Sequence, residues 1–318
     1  MIKKFLCNKL IRTIAMFLLL ILLVLFPVGK EYSLSDDVLV HTIKNENNSK
    51  VYLLDKFGYI AKCKVDLENT DDVNYAKKLI ELLIIDGKYE SKIPNDFKPI
   101  LPQDLKINSI KINNNSIILD LSKEYFDLKK EYEETAIELI TYNLTTISNI
   151  EDVYINIDGV KLDKLPKSNI LINQPLKRNY GINKMYTQTS YKNVNKTVIY
   201  YIRKMNNEYY YVPVTKVNND NREKIQIIID ELTSNNTYQT NLMSFLNYNA
   251  KLNKYSIDGE TMVLDFNSFL FDDISSKKIL EEVIYTICLS VKDNYSVKQV
   301  VFNVDNKEII KSTLKNIE

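Results

Sequence analysis

The sequence predicts an α+β protein of two tandem units, each a mixed β-sheet with two helices packed on one face (ββαββαβ), after an N-terminal transmembrane helix. Three observations predict it. The first is a duplication. Ser116–Gly159 reads as a strand ending in Asp, an amphipathic helix and an alternating strand ending in Asp, and the same order returns over Thr261–Asn306. Ile118–Leu121 (ILDL) answers Val263–Phe266 (VLDF), and Val153–Asp158 (VYINID) answers Val300–Asp305 (VVFNVD). Repetition of a whole supersecondary unit marks a repeat architecture. The second is a pair of hairpin signals in each unit, which make neighbouring strands antiparallel, while the closing helix allows a crossover. The third is the apolar stripe on each helix, which needs a sheet face to cover it.

The elements follow in order. Residues 51–55 (VYLLD) and 59–67 (YIAKCKVDL) alternate around the turn at 56–58, a hairpin. A helix is expected from about Asn74 to Ile85, capped by Asp71 or Asp72, with Leu79, Ile80 and Leu83 on its apolar face. Pro94, Pro99 and Pro102 make 86–104 an ordered but irregular loop. Strands 105–112 and 116–121 turn at Asn113–Asn115. The second helix, about Lys130 to Ser148, carries Glu131, Glu133 and Glu134 at its positive end and a stripe of Ala136, Ile137, Ile140, Leu144 and Ile147. Strand 153–158 closes the unit.

The second unit repeats each step. Strands 196–203 and 208–217 form the hairpin, and a helix at 222–232 presents Ile225, Ile228, Ile229 and Leu232. Strands 251–257 and 261–266 turn at Asp258-Gly259, a helix is expected over Ser275–Val291, and strand 298–304 ends the unit. The domain organisation is therefore 1–30 membrane anchor or signal segment, 31–49 polar tether, 50–165 first unit, 166–195 linker with little core of its own, and 196–318 second unit.

The 318 residues suit about two domains at ~100–200 residues each. Apolar content of 45% supports real cores, and a net charge of +1 gives no reason to expect nucleic acid. Frequent Asn, Lys, Ile and Tyr with no Trp read as codon bias rather than function. The single His41 precedes the folded units, which excludes Ser–His–Asp, Cys–His and His-metal chemistry within them. Cys7, Cys63 and Cys288 are scattered, with no C-x-x-C.

Lys3, Lys4, Lys9 and Arg12 precede an apolar run, Ile14–Phe26, followed by Pro27. This is the export pattern, with the first residues cytoplasmic and everything after Lys30 outside. The run is shorter than the ~20 residues that cross a bilayer comfortably. No small-x-small cleavage site follows it, so an uncleaved single-pass anchor is expected, with a cleaved signal peptide as the alternative. Cys7 lies before the apolar run, not after it, and so does not read as a lipoprotein cysteine.

Asp120 and Asp265 match at strand ends, as do Asp158 and Asp305. They read as acceptors of backbone N–H groups in turns, since no base accompanies them. Asp71-Asp72 and Asp272-Asp273 lack a D-x-D-x-D-G loop and read as solvated helix starts, not calcium ligands. Cys63 and Cys288 fall on apolar patterns as buried small hydrophobes. Tyr200, Tyr201, Tyr209, Tyr210 and Tyr211 cluster in the second unit's first hairpin. A surface for partners is expected there at Tyr201, Tyr209 and Tyr211, since an alternating hairpin exposes one face. No catalytic constellation, metal site or cofactor site is expected.

YYVPVTKVNN (210–219) resembles the first hairpin of the GerMN domain family of sporulation and spore-germination proteins. LPQDLKINSIKINNNSIILDLSKEYFDL (101–128) is similar to that family's central stretch, and VYINIDGVKL (153–162) to its closing strand. The family often has Gly-Pro after the first helix, where this chain reads IIDGKYES and TSNNTYQT, and its members are often lipoproteins, whereas no lipobox is present here. The resemblance covers both units. It implies a fold like the ring-building motifs of secretion and sporulation assemblies. It also implies a non-enzymatic role as a scaffold or interaction component in sporulation or germination. The expected place is the cell membrane, single-pass, with both domains extracytoplasmic, or in the intermembrane space during sporulation. Expected partners are other envelope or sporulation-complex proteins and the membrane itself. The alternative is a peptidoglycan-binding or peptidoglycan-modifying envelope protein, with Asp120, Asp265 or Glu131/Glu133 as its carboxylates; glycoside hydrolysis would require two of them facing across a cleft.

Overall fold

The computed structural model describes residues 39–41, 49–68, 70–205, 208–234 and 241–314. The segment 1–30, Cys7 and most of the 31–49 tether lie outside the described residues. Among the described residues no helix is long and apolar enough to cross a membrane.

The chain opens with β1 (Leu39–His41). The first repeat then runs β2 (Ser49–Asp55), β3 (Ile60–Val65), α1 (Asp72–Glu81), β4 (Phe97–Lys98), β5 (Ile107–Asn113), β6 (Ser116–Leu121), α2 (Glu133–Leu144), β7 (Asp152–Ile157) and β8 (Val160–Lys161). After β9 (Met185–Tyr186), the second repeat runs β10 (Asn195–Met205), β11 (Glu208–Asn218), α3 (Lys224–Thr233), β12 (Leu252–Asp258), β13 (Thr261–Phe266), α4 (Glu281–Asn294), β14 (Gln299–Val304) and β15 (Lys307–Thr313).

The sheets are not one per repeat. β5-β6-β7-β8 and β1-β15-β14-β13-β12 are separate mixed sheets, each with an antiparallel pair followed by a parallel one. They carry the duplication down to its defects. β5 has a bulge between Ile107 and Ser109, and β12 has the matching one between Leu252 and Lys254. The two first hairpins leave their own repeats and join each other in a third sheet, ordered β10-β11-β3-β2-β4. The junction is β11 against β3, antiparallel, with Tyr211 opposite Lys62.

The helices explain this arrangement. The expected stripe of α2 (Ala136, Ile137, Ile140, Leu144) is buried, but so are Leu139, Thr141, Tyr142 and Asn143 around the rest of the cylinder. α4 likewise buries Thr286, Cys288, Leu289 and Ser290 besides its stripe. A helix buried all round needs cover on two sides. The hairpin sheet supplies one such cover: β2 packs on α2 and β10 packs on α4.

Several local expectations change. α1 starts at Asp72, with Asp71 as its cap accepting the Asn74 N–H at 3.0 Å. α4 starts at Glu281 rather than Ser275. Asp273 instead accepts the Ser275 and Ser276 N–H groups, and Lys277 takes a positive φ of 52°, which an interior helical residue cannot adopt. The strands after β7 and β14 were not anticipated. Asp158-Gly159 (φ 46° and 76°) and Asp305-Asn306 (49° and 66°) both place two residues at positive φ, the requirement of the tight I′ hairpin turn. β1, in the stretch read as tether, pairs in parallel with β15.

The 166–195 segment, read as a linker with little core, is packed. Ile172, Leu176 and Ile182 are buried, and Leu176 pairs with Val153 of β7. Asn183 shows why. Its side chain accepts the Ile60 N–H (2.9 Å) and donates to the carbonyls of Ile60 and Pro213 (2.7 Å each). One amide thus bridges β3 of the first repeat and β11 of the second. It does so beside Pro213, which has no N–H of its own to offer the sheet.

Candidate functional site

Where the hairpin sheet meets the helices of both repeats lies a partly open cavity of about 330 Å³. Its walls come from β2 and β3, Tyr75 of α1, the end of α2, the connecting segment, β10 and α4.

Two tyrosines sit at matched places in the duplication. The Tyr52 N–H of β2 donates to Asn143 Oδ1 of α2, and the Tyr200 N–H of β10 donates to Ser290 Oγ of α4, each at 2.9 Å. Asn143 also donates to the Tyr52 carbonyl at 2.8 Å, so it acts as a missing strand neighbour. The paired helix contacts bring the two hydroxyls together at 3.0 Å, across the boundary between the repeats.

The charges are arranged around this pair. Arg178 of the connecting segment donates to Asp293 Oδ1 at 2.9 Å and to the Tyr52 hydroxyl at 3.4 Å. The Tyr200 hydroxyl donates to Asp293 Oδ2 at 2.7 Å. With that proton committed, Tyr52 donates to Tyr200, and the chain runs Arg178, Tyr52, Tyr200, Asp293. Arg178 also donates to Thr145 Oγ1 at 3.1 Å and lies over the rings of Tyr52 and Tyr142, 5.5 and 4.9 Å from their centroids. Burial disfavours the guanidinium charge, but Asp293 and the neighbouring tyrosine oxygens hold it protonated more firmly than usual. Burial also raises the phenols of Tyr52, Tyr142 and Tyr200, so they stay neutral donors.

Three lysines complete the wall: Lys50 of β2, Lys62 of β3 and Lys292 of α4, all half-buried. Burial, then repulsion from Lys292, Arg178 and Lys50, lowers Lys62 from 10.5 to about 7, opposed by Asp293. Sequence reasoning missed this constellation because its members are spread from residue 50 to 293 and none stands in a local motif. The one available signal was the duplication itself, which places Tyr52 and Tyr200 at equivalent points.

Against this geometry, comparison with known proteins is decisive for the family. The family model described as sporulation and spore germination, Germane, matches residues 50–163 and again 198–310. The chain belongs to this family. Among curated proteins it is similar to the spore germination protein GerM of Bacillus subtilis (strain 168), 30% identical over 266 residues, covering 81% of this chain and 71% of that one. Among solved structures it is similar to the tandem GerMN domains of the B. subtilis sporulation protein GerM, with a TM-score of 0.75 and 30% identity, covering 86% of this chain and 94% of that chain. This Germane chain therefore holds two tandem GerMN-like domains in a mixed α+β fold.

The anticipated residues separate once placed in the GerMN framework. Tyr201 is corrected: it is buried, and its hydroxyl donates to Glu231 at 3.0 Å, because the long β10 turns that face onto α3. Tyr211 is half-buried and stacks on Tyr285 (5.4 Å, 18° between planes). Tyr209 is 42% exposed and packs edge-on against Phe245. Tyr200 lies in the cavity wall, and Tyr210 packs edge-on against Phe97 at 5.0 Å.

Asp120 and Asp265 are turn acceptors, though of a more distant turn than their own. They accept the N–H of Gly159 (2.9 Å) and Asn306 (2.7 Å), in the turn beyond the parallel neighbour strand. They lie on separate sheets. Glu133 clamps the Lys167 and Ser168 N–H groups (2.7 and 2.6 Å). Cys63 and Cys288 are buried free thiols; burial pushes Cys288 up to about 12 and Cys63 higher still. Among the described residues no group of three His, Cys, Asp or Glu side chains could hold a metal ion.

Proposed function

We propose that this protein is a non-enzymatic, membrane-anchored scaffold of a sporulation or germination complex, presenting its two GerMN-like domains as one body outside the membrane. The observation that carries the reading is the shared hairpin sheet. Docking partners on a rigid pair of domains avoids the ordering cost that a flexible tandem would incur on each binding event. Tyr209 and its neighbour Phe245 offer an apolar contact point at the far end of that sheet, next to the cationic Lys204. Of the carboxylates considered for peptidoglycan chemistry, Asp120, Asp265 and Glu133 are engaged with backbone amides and Glu131 is exposed, which favours the scaffold reading over a hydrolase.

The test is crosslinking in sporulating cells with a tagged full-length chain, followed by identification of co-purified proteins. Envelope or sporulation-complex partners are expected, with Tyr209→Ser reducing their recovery several-fold while the protein level stays constant. Recovery of no such partner, together with unaltered sporulation and germination in a deletion strain, would sink the reading. Release of fragments from purified cell wall by the full-length chain would replace it with the enzymatic one.

A further inference from the structure

The chain enters the second mixed sheet at one end. β1 runs parallel to β15, with Leu39 opposite Ile310 and His41 opposite Ser312, so its first residue lies nearest the end at which β15 begins. β13 and β14 are parallel, with Phe266 opposite Val304, and both finish at this same end. β12 starts there, since Leu252 pairs with Phe266. The end is therefore built from the loop into β12, the loop from β13 to α4 and the β14–β15 turn. Asn267 ties the two loops together. Its N–H donates to the Lys251 carbonyl and its side chain accepts the Lys251 N–H, each at 3.1 Å, while its amide donates to the Asn249 carbonyl at 3.0 Å. These ordered loops leave three large side chains in solvent: Tyr248 is 73% exposed, Ile274 61% and Phe269 42%. Single exposed apolar side chains are ordinary. What marks these three is that they share the end at which the chain arrives from the apolar run Ile14–Phe26.

We propose that this end of the second mixed sheet lies against a lipid surface, with Tyr248, Phe269 and Ile274 seated at the boundary of headgroups and acyl chains. The proposal rests on the membrane-anchored reading above and adds to it which face of the folded body meets the bilayer. The occupant follows from the path of the chain. Residues 27–38 are a short connection, at most ~43 Å when fully extended, so a bilayer holding the apolar run is within reach of this end. The side chains suit the interface rather than the hydrocarbon core. Tyrosine is apolar along its ring and polar at its tip, and such rings gather at headgroup depth. Phe269 and Ile274 add apolar surface that gains by leaving water. Exposed charges of both signs stand beside them, Lys277 and Lys278 near Asp272 and Asp273, and Lys307 between Asp305 and Glu308. Contact is therefore driven by apolar burial, and an anionic headgroup is not required.

The experiment is fluorescence of the full-length chain reconstituted in vesicles of phosphatidylcholine alone and of phosphatidylcholine with phosphatidylglycerol. In a Cys7→Ser background, whose remaining Cys63 and Cys288 are buried, the environment-sensitive dye NBD is attached at Tyr248→Cys, Phe269→Cys or Ile274→Cys. Leu171→Cys, at a site 72% exposed in the segment between the repeats, is the reference. Flotation in a density gradient first separates vesicle-bound from free protein. The bound protein is expected to show blue-shifted emission and quenching by lipids that carry a nitroxide near the headgroup. Both effects should be several-fold stronger at the three loop sites than at Leu171→Cys, in both kinds of vesicle. Solvent-like emission without quenching at all three loop sites in floated protein overturns the proposal and leaves the anchored reading standing. So does equal quenching at Leu171→Cys. Quenching seen only with phosphatidylglycerol, or lost in high salt, overturns it as well, since the contact would then be one of charge. Failure of the chain to float overturns the anchored reading and this inference with it. Circular dichroism and melting temperature of each labelled variant are expected to match the parent, because all four sites are exposed.

Discussion

At the residue scale, the matched aspartates show how identical sequence positions acquire different energetic weight. Asp120 and Asp265 make the same bond to the same turn, but Asp265 is buried to 2% exposure and Asp120 is half-exposed. A buried carboxylate–amide bond is worth more, and its loss leaves the Asn306 N–H without its acceptor. Asp265→Ala is expected to cost about 2–3 kcal/mol in urea denaturation and Asp120→Ala about 1 kcal/mol or less. Lys62 gives a pH prediction. Its folded value, about 7, lies below its ordinary 10.5, so between those pH values the unfolded chain holds more protons. Stability attributable to Lys62 therefore rises with pH across that window, and the penalty is fully present below pH 7. In phosphate-free buffer, the difference in urea midpoint between Lys62→Met and the parent should shrink from pH 7 to pH 10; a constant difference would contradict the depressed value. The aspartate roles were legible because each recurs in the copy without a base beside it. The cavity was not, because charge in a cavity depends on which distant residues face one another.

At the element scale, the elements themselves were largely readable: hairpins from alternation around Asn-rich turns, helices from their apolar spacing. What local pattern missed lies at their ends. The Ser275–Leu280 stretch has helical composition but forms a turn held by Asp273, and β8 and β15 depend on positive-φ turns whose consequence is a further strand. The helix α2 shows a deeper limit. Its stripe predicted one covered face, yet Asn143 on the other side acts as a backbone surrogate for Tyr52. Replacing Asn143 with Leu leaves the Tyr52 N–H and carbonyl short of that partner, at roughly 1–3 kcal/mol for each buried group. Asn143→Ser, which supplies the residue type found at the matching place in α4, keeps an acceptor and is expected to lose about half as much. Guanidinium denaturation of the two variants side by side checks the order, and equal losses would show that the amide geometry is not what matters.

At the scale of the whole molecule, two family domains behave structurally as one body. Their first hairpins share a sheet, and the segment between them supplies Arg178 and Asn183 to both sides. Calorimetry on the full-length chain is expected to give a single unfolding transition for the folded region, with van't Hoff and calorimetric enthalpies in agreement. Asn183→Ala removes three bonds that span β3 and β11. It should lower the melting temperature by several degrees, taking about 4–8 °C per kcal/mol for a small domain and less for a chain of this size. Two resolved transitions in the unmodified protein would show that the repeats fold independently and that the shared sheet is only an accessory contact.

The sequence by itself determined the duplication, the α+β class, most strands and helices, the turn role of the paired aspartates and the family. These are local or periodic properties, set by side-chain spacing within a few turns of chain. Only the tertiary structure decided that the hairpins join each other, that the 166–195 segment is packed, that Tyr201 is buried and that three lysines share a cavity with Arg178 and Asp293. Each of these depends on long-range pairing, and the reason is physical. Helices buried all round need a second sheet, and once two repeats share that sheet, the residues that meet at its centre come from opposite ends of the chain.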